Sequence, residues 1–253
     1  MSCSLLHKRS YCRRNAVRAI ASLLLLVNTL PAEDAQSPRP DADGVIRIPL
    51  LKPSAENPRN GEGDFIQLAD GRLVFVYSRF LESGSDFAAS DLAARFSSDQ
   101  GLTWTSEDKV VVPNEGKMNT MSASLLRLQS GRIALFYLRK HSLADCRLYM
   151  RVSTDESETW SEPTLCIPDA GYYVVNNDRV VQLPNGRLVV PAASPAEREF
   201  RYIDGNSDRI HPSREEAMCY LSDDEGRTWR RSRSVVKPPF AVNMASRSRR
   251  LYS

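Results

Sequence analysis

Ser97-Ser98-Asp99-Gln100-Gly101-Leu102-Thr103-Trp104 decides how this chain folds, because the same frame returns twice. Ser153-Thr154-Asp155-Glu156-Ser157-Glu158-Thr159-Trp160 is the second copy, and Ser222-Asp223-Asp224-Glu225-Gly226-Arg227-Thr228-Trp229 is the third. All three tryptophans of the 253-residue chain end one of these octets. Only Ser157 departs from the pattern Ser-x-Asp-x-Gly-x-Thr-Trp. Five positions recurring in this way mark a tandem repeat, so the fold is read one unit at a time.

Each residue type has a physical role in the frame. A short Asp carboxylate accepts backbone N–H groups a few residues on and closes a tight turn. Ser and Thr hydroxyls add side-chain-to-backbone bonds of the same kind. Glycine enters positive φ at little cost, and tryptophan brings a large apolar surface to the junction. The octet is therefore a rigid turn, and Ser157 is expected to leave the second copy more strained than the others, or shaped differently.

A second motif precedes each octet: Leu68-Ala69-Asp70-Gly71-Arg72-Leu73, Leu128-Gln129-Ser130-Gly131-Arg132-Ile133 and Leu183-Pro184-Asn185-Gly186-Arg187-Leu188. Apolar, β-favouring runs flank each, which reads as a β-hairpin. The segments entering the octets (Leu92–Phe96, Leu148–Val152, Met218–Leu221) supply a third strand. Those leaving them (Lys109–Val112, Thr164–Ile167, Ser234–Val236) supply a fourth. Each unit is a four-stranded antiparallel sheet, and no amphipathic helix of useful length intervenes. Four-stranded sheets repeated radially make a β-propeller. The blades fall at about 61–113, 118–168 and 172–237, with a polar insertion at 196–216 in the third.

Outside the repeats the chain is informative in other ways. Lys8, Arg9, Arg13, Arg14 and Arg18 precede the apolar run Ala19–Val27, and Pro31-Ala32 is followed by Glu33-Asp34. That is the layout of a secretory signal peptide over residues 1–32, the alternative being an uncleaved anchor. Residues 1–32 hold five basic and no acidic side chains, so the formal charge of +3 becomes −2 without them. The basic character thus belongs to the leader and excludes a nucleic-acid-binding reading. The reading implies a secreted or periplasmic protein with no stable membrane insertion after cleavage. Cys146, Cys166 and Cys219 remain, an odd number that specifies no disulfide framework. Cys146 and Cys166 sit on neighbouring strands, where one bridge or two buried thiols would fit. His141 and His211 lack ligand spacing, so no metal site and no cofactor is expected.

With octets and hairpins together, the chain resembles the sialidase (neuraminidase) superfamily of BNR/Asp-box propellers over residues 61–236. The resemblance implies an all-β, six-bladed propeller, of which about three blades are present. It also implies glycan substrates, octets on the rim away from the active site, and a substrate held over the central axis. Retaining sialidases combine a loop aspartate as acid/base, a tyrosine nucleophile paired with a glutamate, and three arginines on the substrate carboxylate, a departure from the usual two-carboxylate scheme. Carried over residue by residue, Asp86 falls where the acid/base belongs, although a loop Asp is by default a turn former. Arg79 after the second strand resembles a clamp arginine. Asn119 opens the second unit, and Asn177, Asp178 and Arg179 open the third as substrate contacts.

The chain also departs from that pattern. Arg47-Ile48-Pro49 lies too far ahead of Gly71 to open the first blade, and instead fits a strand within 33–60 that helps to close the ring. The opening position reads Arg59-Asn60-Gly61-Glu62-Gly63-Asp64, which puts the acidic Glu62 among the substrate contacts and weakens a sialic-acid specificity. The remaining arginines and the Tyr/Glu pair have no counterpart before Ser253. The sequence is therefore read as half a ring from a longer exo-glycosidase, with little turnover of its own. The alternatives are two half-rings that pair into a whole, and a non-catalytic carbohydrate-binding propeller.

Overall fold

In the computed structural model, residues 38–195 and 215–237 are described. Residues 1–37, 196–214 and 238–253, and with them the expected signal peptide over 1–32, lie outside the described residues. Twelve strands and no helix occur among those described. The first sheet is β1 (Arg59–Gln67), β2 (Leu73–Phe80), β3 (Ser90–Ser97) and β4 (Lys109–Val112). The second is β5 (Asn119–Arg127), β6 (Ile133–Ser142), β7 (Asp145–Ser153) and β8 (Thr164–Leu165), and the third is β9 (Val181–Gln182), β10 (Leu188–Pro195), β11 (Glu215–Ser222) and β12 (Arg230–Arg231). Each sheet runs in sequence order with every pair antiparallel. Three such sheets are three blades of a propeller.

Alternation along the strands explains how the blades stack. Successive side chains point to opposite faces, so Val74 and Val76 pack with Leu92, Ala94 and Val112 against Ala123, Leu125, Ile133, Leu135 and Tyr137 of the second blade. The other face of that blade sends Ala134, Phe136 and Leu138 with Leu148 and Met150 against Val175, Leu188, Val190 and Tyr220 of the third. Burying each of the Val, Leu, Ile, Phe and Met side chains among them contributes about 1.5–3 kcal/mol.

The outer and third-blade strands are more broken than their sequences predict. The fourth strand of the third blade pairs at Arg230–Arg231 and again only at a Val236–Ala217 bridge, not continuously over Ser234–Val236. Its inner strand makes isolated bridges, Tyr172 with Cys146 and Val174 with Ala193, before pairing at Val181–Gln182. Arg47-Ile48-Pro49 takes no strand conformation, and Arg47 pairs with Asp41.

The octets form the turns their chemistry dictates. In the first, Asp99 Oδ1 accepts from Thr103 N at 2.8 Å and Oδ2 from Thr103 Oγ1 at 2.6 Å, while Ser97 Oγ accepts from Gly101 N at 2.8 Å. The second and third repeat these bonds around Asp155 and Asp224. Gly101 and Gly226 take φ of 89° and 88°, and Ser157 must take 68°. Trp104 and Trp229 each donate Nε1–H to the carbonyl of that glycine at 2.9 Å. Trp160 Nε1 and the Ser157 hydroxyl, both buried, have no partner. The expected strain in the second octet is present.

The second and third octets also reach to the preceding blade. Glu156 accepts from Ala69 N at 2.7 Å and from both terminal nitrogens of Arg127 at 2.8 Å. Glu225 does the same for Ser130 N at 3.2 Å and for Arg132. The octets and the β1–β2-type hairpins therefore share one end of the blades. The antiparallel order places strand starts and the β2–β3 loops at the opposite end.

Candidate functional site

At that opposite end, the starts of β1 and β5 and the loop 81–89 bring charged groups together. Arg59 Nη1 lies 2.5 Å from Asp86 Oδ1 and donates to Gly84 O at 3.0 Å, and its Nη2 lies 3.2 Å from Glu62 Oε1. The guanidinium stacks over Phe80, 4.3 Å from the ring centroid, a cation–π contact. Glu62 Oε2 in turn accepts from Ser122 Oγ at 2.9 Å, and Ser122 N donates to Ser78 Oγ at 2.9 Å. Glu62 and Ser122 occupy bulges in their strands, with φ of 52° and 62°. A bulge re-aims a side chain, and here it turns Glu62 and Ser122 toward each other.

Below this surface layer, two buried side chains converge on one carbonyl. Lys140 Nζ and Asn119 Nδ2 both donate to Asp86 O at 2.8 Å, and Asn119 also donates to Ala88 O at 3.0 Å. Lys140 is only 2% exposed, although its strand neighbour Arg139 points to the other face. Its ammonium lies 4.7 Å from the Phe87 ring centroid and 5.7 Å from that of Tyr172. The Asn119 side-chain oxygen is buried without a partner.

The environment shifts two of these groups in opposite directions. Burial pushes the Glu62 carboxyl up, and the negative Asp86 adds to that, against the Ser122 bond and the Arg59 charge. Burial pulls the Lys140 ammonium down, against the attraction of Cys146, Asp86 and Glu62. The Cys146 thiol beside it is pushed up to about 12 by burial. Cys146 and Cys166 are both free and buried, so the thiol alternative holds.

The sequence-derived residues separate into two groups. Asp86, Glu62 and Asn119 meet at the site. Asn177 joins them from the segment that opens the third blade, donating to Gly63 O in β1 at 3.0 Å. Asp178, next along and exposed, takes φ of 51°. Arg179 follows half-buried and makes no bond to the Asp86 cluster among the described residues. Arg79 points from the opposite face of β2. There it forms a two-pronged pair with Asp91, at 3.0 and 2.7 Å, and reaches Asp108 at 3.3 Å. Tyr77 and Arg95 complete that knot on Asp108. A matching knot joins Glu115 to Tyr137, Arg139 and Arg151. Burial opposes ionisation of Glu115, but bonds from Tyr137, Arg151 and Arg139 hold its carboxyl below the usual range.

Arg59 and Lys140 are the site residues that sequence reading passed over. A signal existed for Lys140. It shares the face of Ala134, Phe136 and Leu138, so period-two counting assigns a charge to a core position. Among the described residues no group of three His, Cys, Asp or Glu side chains is disposed to hold a metal. No helix there is long and apolar enough to cross a membrane.

A model of the BNR repeat-like domain matches residues 71–246. The chain belongs to that family. Among solved structures, a protein of unknown function from Dyadobacter fermentans is 19% identical, with a TM-score of 0.56 over 72% of this chain and 56% of that one. Trypanosoma rangeli sialidase is 15% identical, with a TM-score of 0.52 over 79% of this chain and 33% of that one. The NanB sialidase of Streptococcus pneumoniae is 13% identical, with a TM-score of 0.52 over 76% and 46%. The chain thus spans between a third and a little over half of their lengths. At such identities the likeness is one of fold, and it places this BNR-family chain among sialidase-type propellers.

Proposed function

We propose that the protein is an exported exo-glycosidase acting on sialic acid or another terminal sugar, with Asp86 as acid/base, Asn177, Asp178 and Arg179 around the substrate, and the buried Asn119 supporting the Asp86 loop from beneath rather than touching the sugar. One observation carries this reading. The Asp86 side chain is 56% exposed on the loop while its main-chain carbonyl is pinned from beneath by Lys140 and Asn119. A proton-transfer group needs that combination, a reachable carboxyl on a backbone that cannot drift. The location agrees with what the resemblance implies, a substrate held by strand starts and loops at the end away from the octets. Arg59 and Glu62, adjoining Asp86, would border the sugar.

A second reading has its own support. Arg59 sits on the Asp86 carboxylate, which must be released before it reaches a glycosidic oxygen. A propeller that binds glycan without cleaving it needs no such release. Fluorogenic 4-methylumbelliferyl glycosides, α-sialoside included, separate the two. Release from at least one substrate, falling by about 100-fold or more in Asp86→Asn, is the expected result for general acid–base work. Saturable glycan binding with no release in the wild type would favour the binder, and neither activity would end both readings.

A further inference from the structure

Arg59 is the cation nearest the proposed acid/base, and it is already taken on two sides. Asp86 and Glu62 hold its nitrogens and Phe80 covers a face of its guanidinium. Other cations of the first two blades are engaged as well. Arg79 belongs to Asp91 and Asp108, Arg139 and Arg151 to Glu115, and Arg147 to Asp145. Lys140 is buried and spends its ammonium on the Asp86 carbonyl. Arg179 and the exposed Lys117 stand outside these pairs among the described residues, each a lone cation that offers contact without a clamp.

We propose that Glu62 is a specificity-determining residue that closes the Arg59 subsite to carboxylated sugars and reserves it for an uncharged, hydroxyl-rich terminal sugar. This rests on the reading that this end of the blades binds a sugar. A substrate carboxylate approaching Arg59 meets a guanidinium already paired with two carboxylates. Glu62 is fixed in that position by the bulge at φ 52° and by the Ser122 hydroxyl, so it does not swing aside freely. Burial and Asp86 already disfavour its charge, and a third anion would add to the same repulsion. A neutral sugar has the opposite fit. Its hydroxyls can accept from Arg59 or Asn177 and donate to Glu62 and Asp86, leaving no ion unpaired.

The test is binding, measured by calorimetry on the wild-type chain and on Glu62→Gln. The probes are methyl α-sialoside and a panel of uncharged methyl glycosides. The wild type should bind at least one uncharged glycoside about tenfold more tightly than the sialoside, and Glu62→Gln should raise sialoside affinity by about tenfold, the scale of one relieved like-charge contact. A wild type that prefers the sialoside overturns the proposal, as does a Glu62→Gln variant of unchanged Tm that leaves the ratio where it was. The wild-type ratio decides the matter even if the variant does not fold. Binding of sialoside alone would sink this inference and leave the function reading intact. Binding of no sugar would sink both.

Discussion

Ser157→Gly should make this protein more stable, against the usual effect of introducing glycine. Ser157 is held at φ 68° where the matching residues are glycines at 89° and 88°. A left-handed conformation costs a residue with a Cβ about 1–2 kcal/mol. The substitution also removes a buried hydroxyl without a partner and lets the turn open toward the glycine geometry. In that geometry the carbonyl at this position can accept from Trp160 Nε1, as it does in the other two octets at 2.9 Å. One recovered bond of this kind contributes about 1 kcal/mol. The added freedom of the unfolded chain takes back about 0.4–1 kcal/mol. The net expectation is a gain of about 1–2.5 kcal/mol, or a rise in Tm of about 2–10 °C for a domain of this size. Urea and thermal unfolding followed by tryptophan fluorescence would measure it. Gly101→Ser is the reverse experiment. The nearest atoms a Cβ there would meet are 3.6–3.7 Å away, so any loss reflects backbone strain rather than a clash. A Ser157→Gly variant that is neutral or less stable, beside a Gly101→Ser variant that is unharmed, would refute the strain account.

Two further outcomes follow from the octets. Glu156→Ala should cost about 1–2 kcal/mol, because it removes the bonds that tie the second blade's turn to Ala69 and Arg127 of neighbouring hairpins. A double-mutant cycle with Arg127→Ala should show positive coupling, and strictly additive losses would contradict it. The carboxyls of Asp99, Asp155 and Asp224 are lowered to about 2, chiefly by bonds from Thr103, Thr159 and Thr228. Their folded values lie below an unfolded value of about 3.9, so their stabilisation is present above about pH 4 and is lost as pH falls toward 2. Asp99→Asn should therefore be less stable than wild type at pH 6, with the gap closing by pH 2. A gap independent of pH over that range would count against the bonding described.

The octets and hairpins were legible because each is a local device: Asp99, Gly101, Thr103 and Trp104 satisfy one another within a single turn. The blade pattern followed from Leu73–Phe80 and its counterparts, apolar and β-favouring runs that flank Gly-containing turns. What escaped was set by neighbours distant in the chain. Arg79 reads like a clamp arginine until Asp91 and Asp108 are folded against it, and nothing in the local sequence announces that pairing. Lys140 and Asn119 reveal a role only when loop 81–89 brings the Asp86 carbonyl to them. The broken edge of the third blade was missed for a related reason. Ser234–Val236 has strand-like composition, but the pairing there is confined to Val236 with Ala217.

The glutamates that cross between blades divide the labour of the molecule by end. One end is riveted, the second and third turns each to the hairpin of the blade before, and there the three units share one turn geometry apart from Ser157. At the other end the connection after the second strand runs over 81–89 in the first unit, 143–144 in the second and 196–214 in the third. A lineage can lengthen, shorten or rewrite those connections, and with them the molecule's taste in ligands, without loosening a single rivet. Chemistry in such a scaffold is free to drift faster than shape.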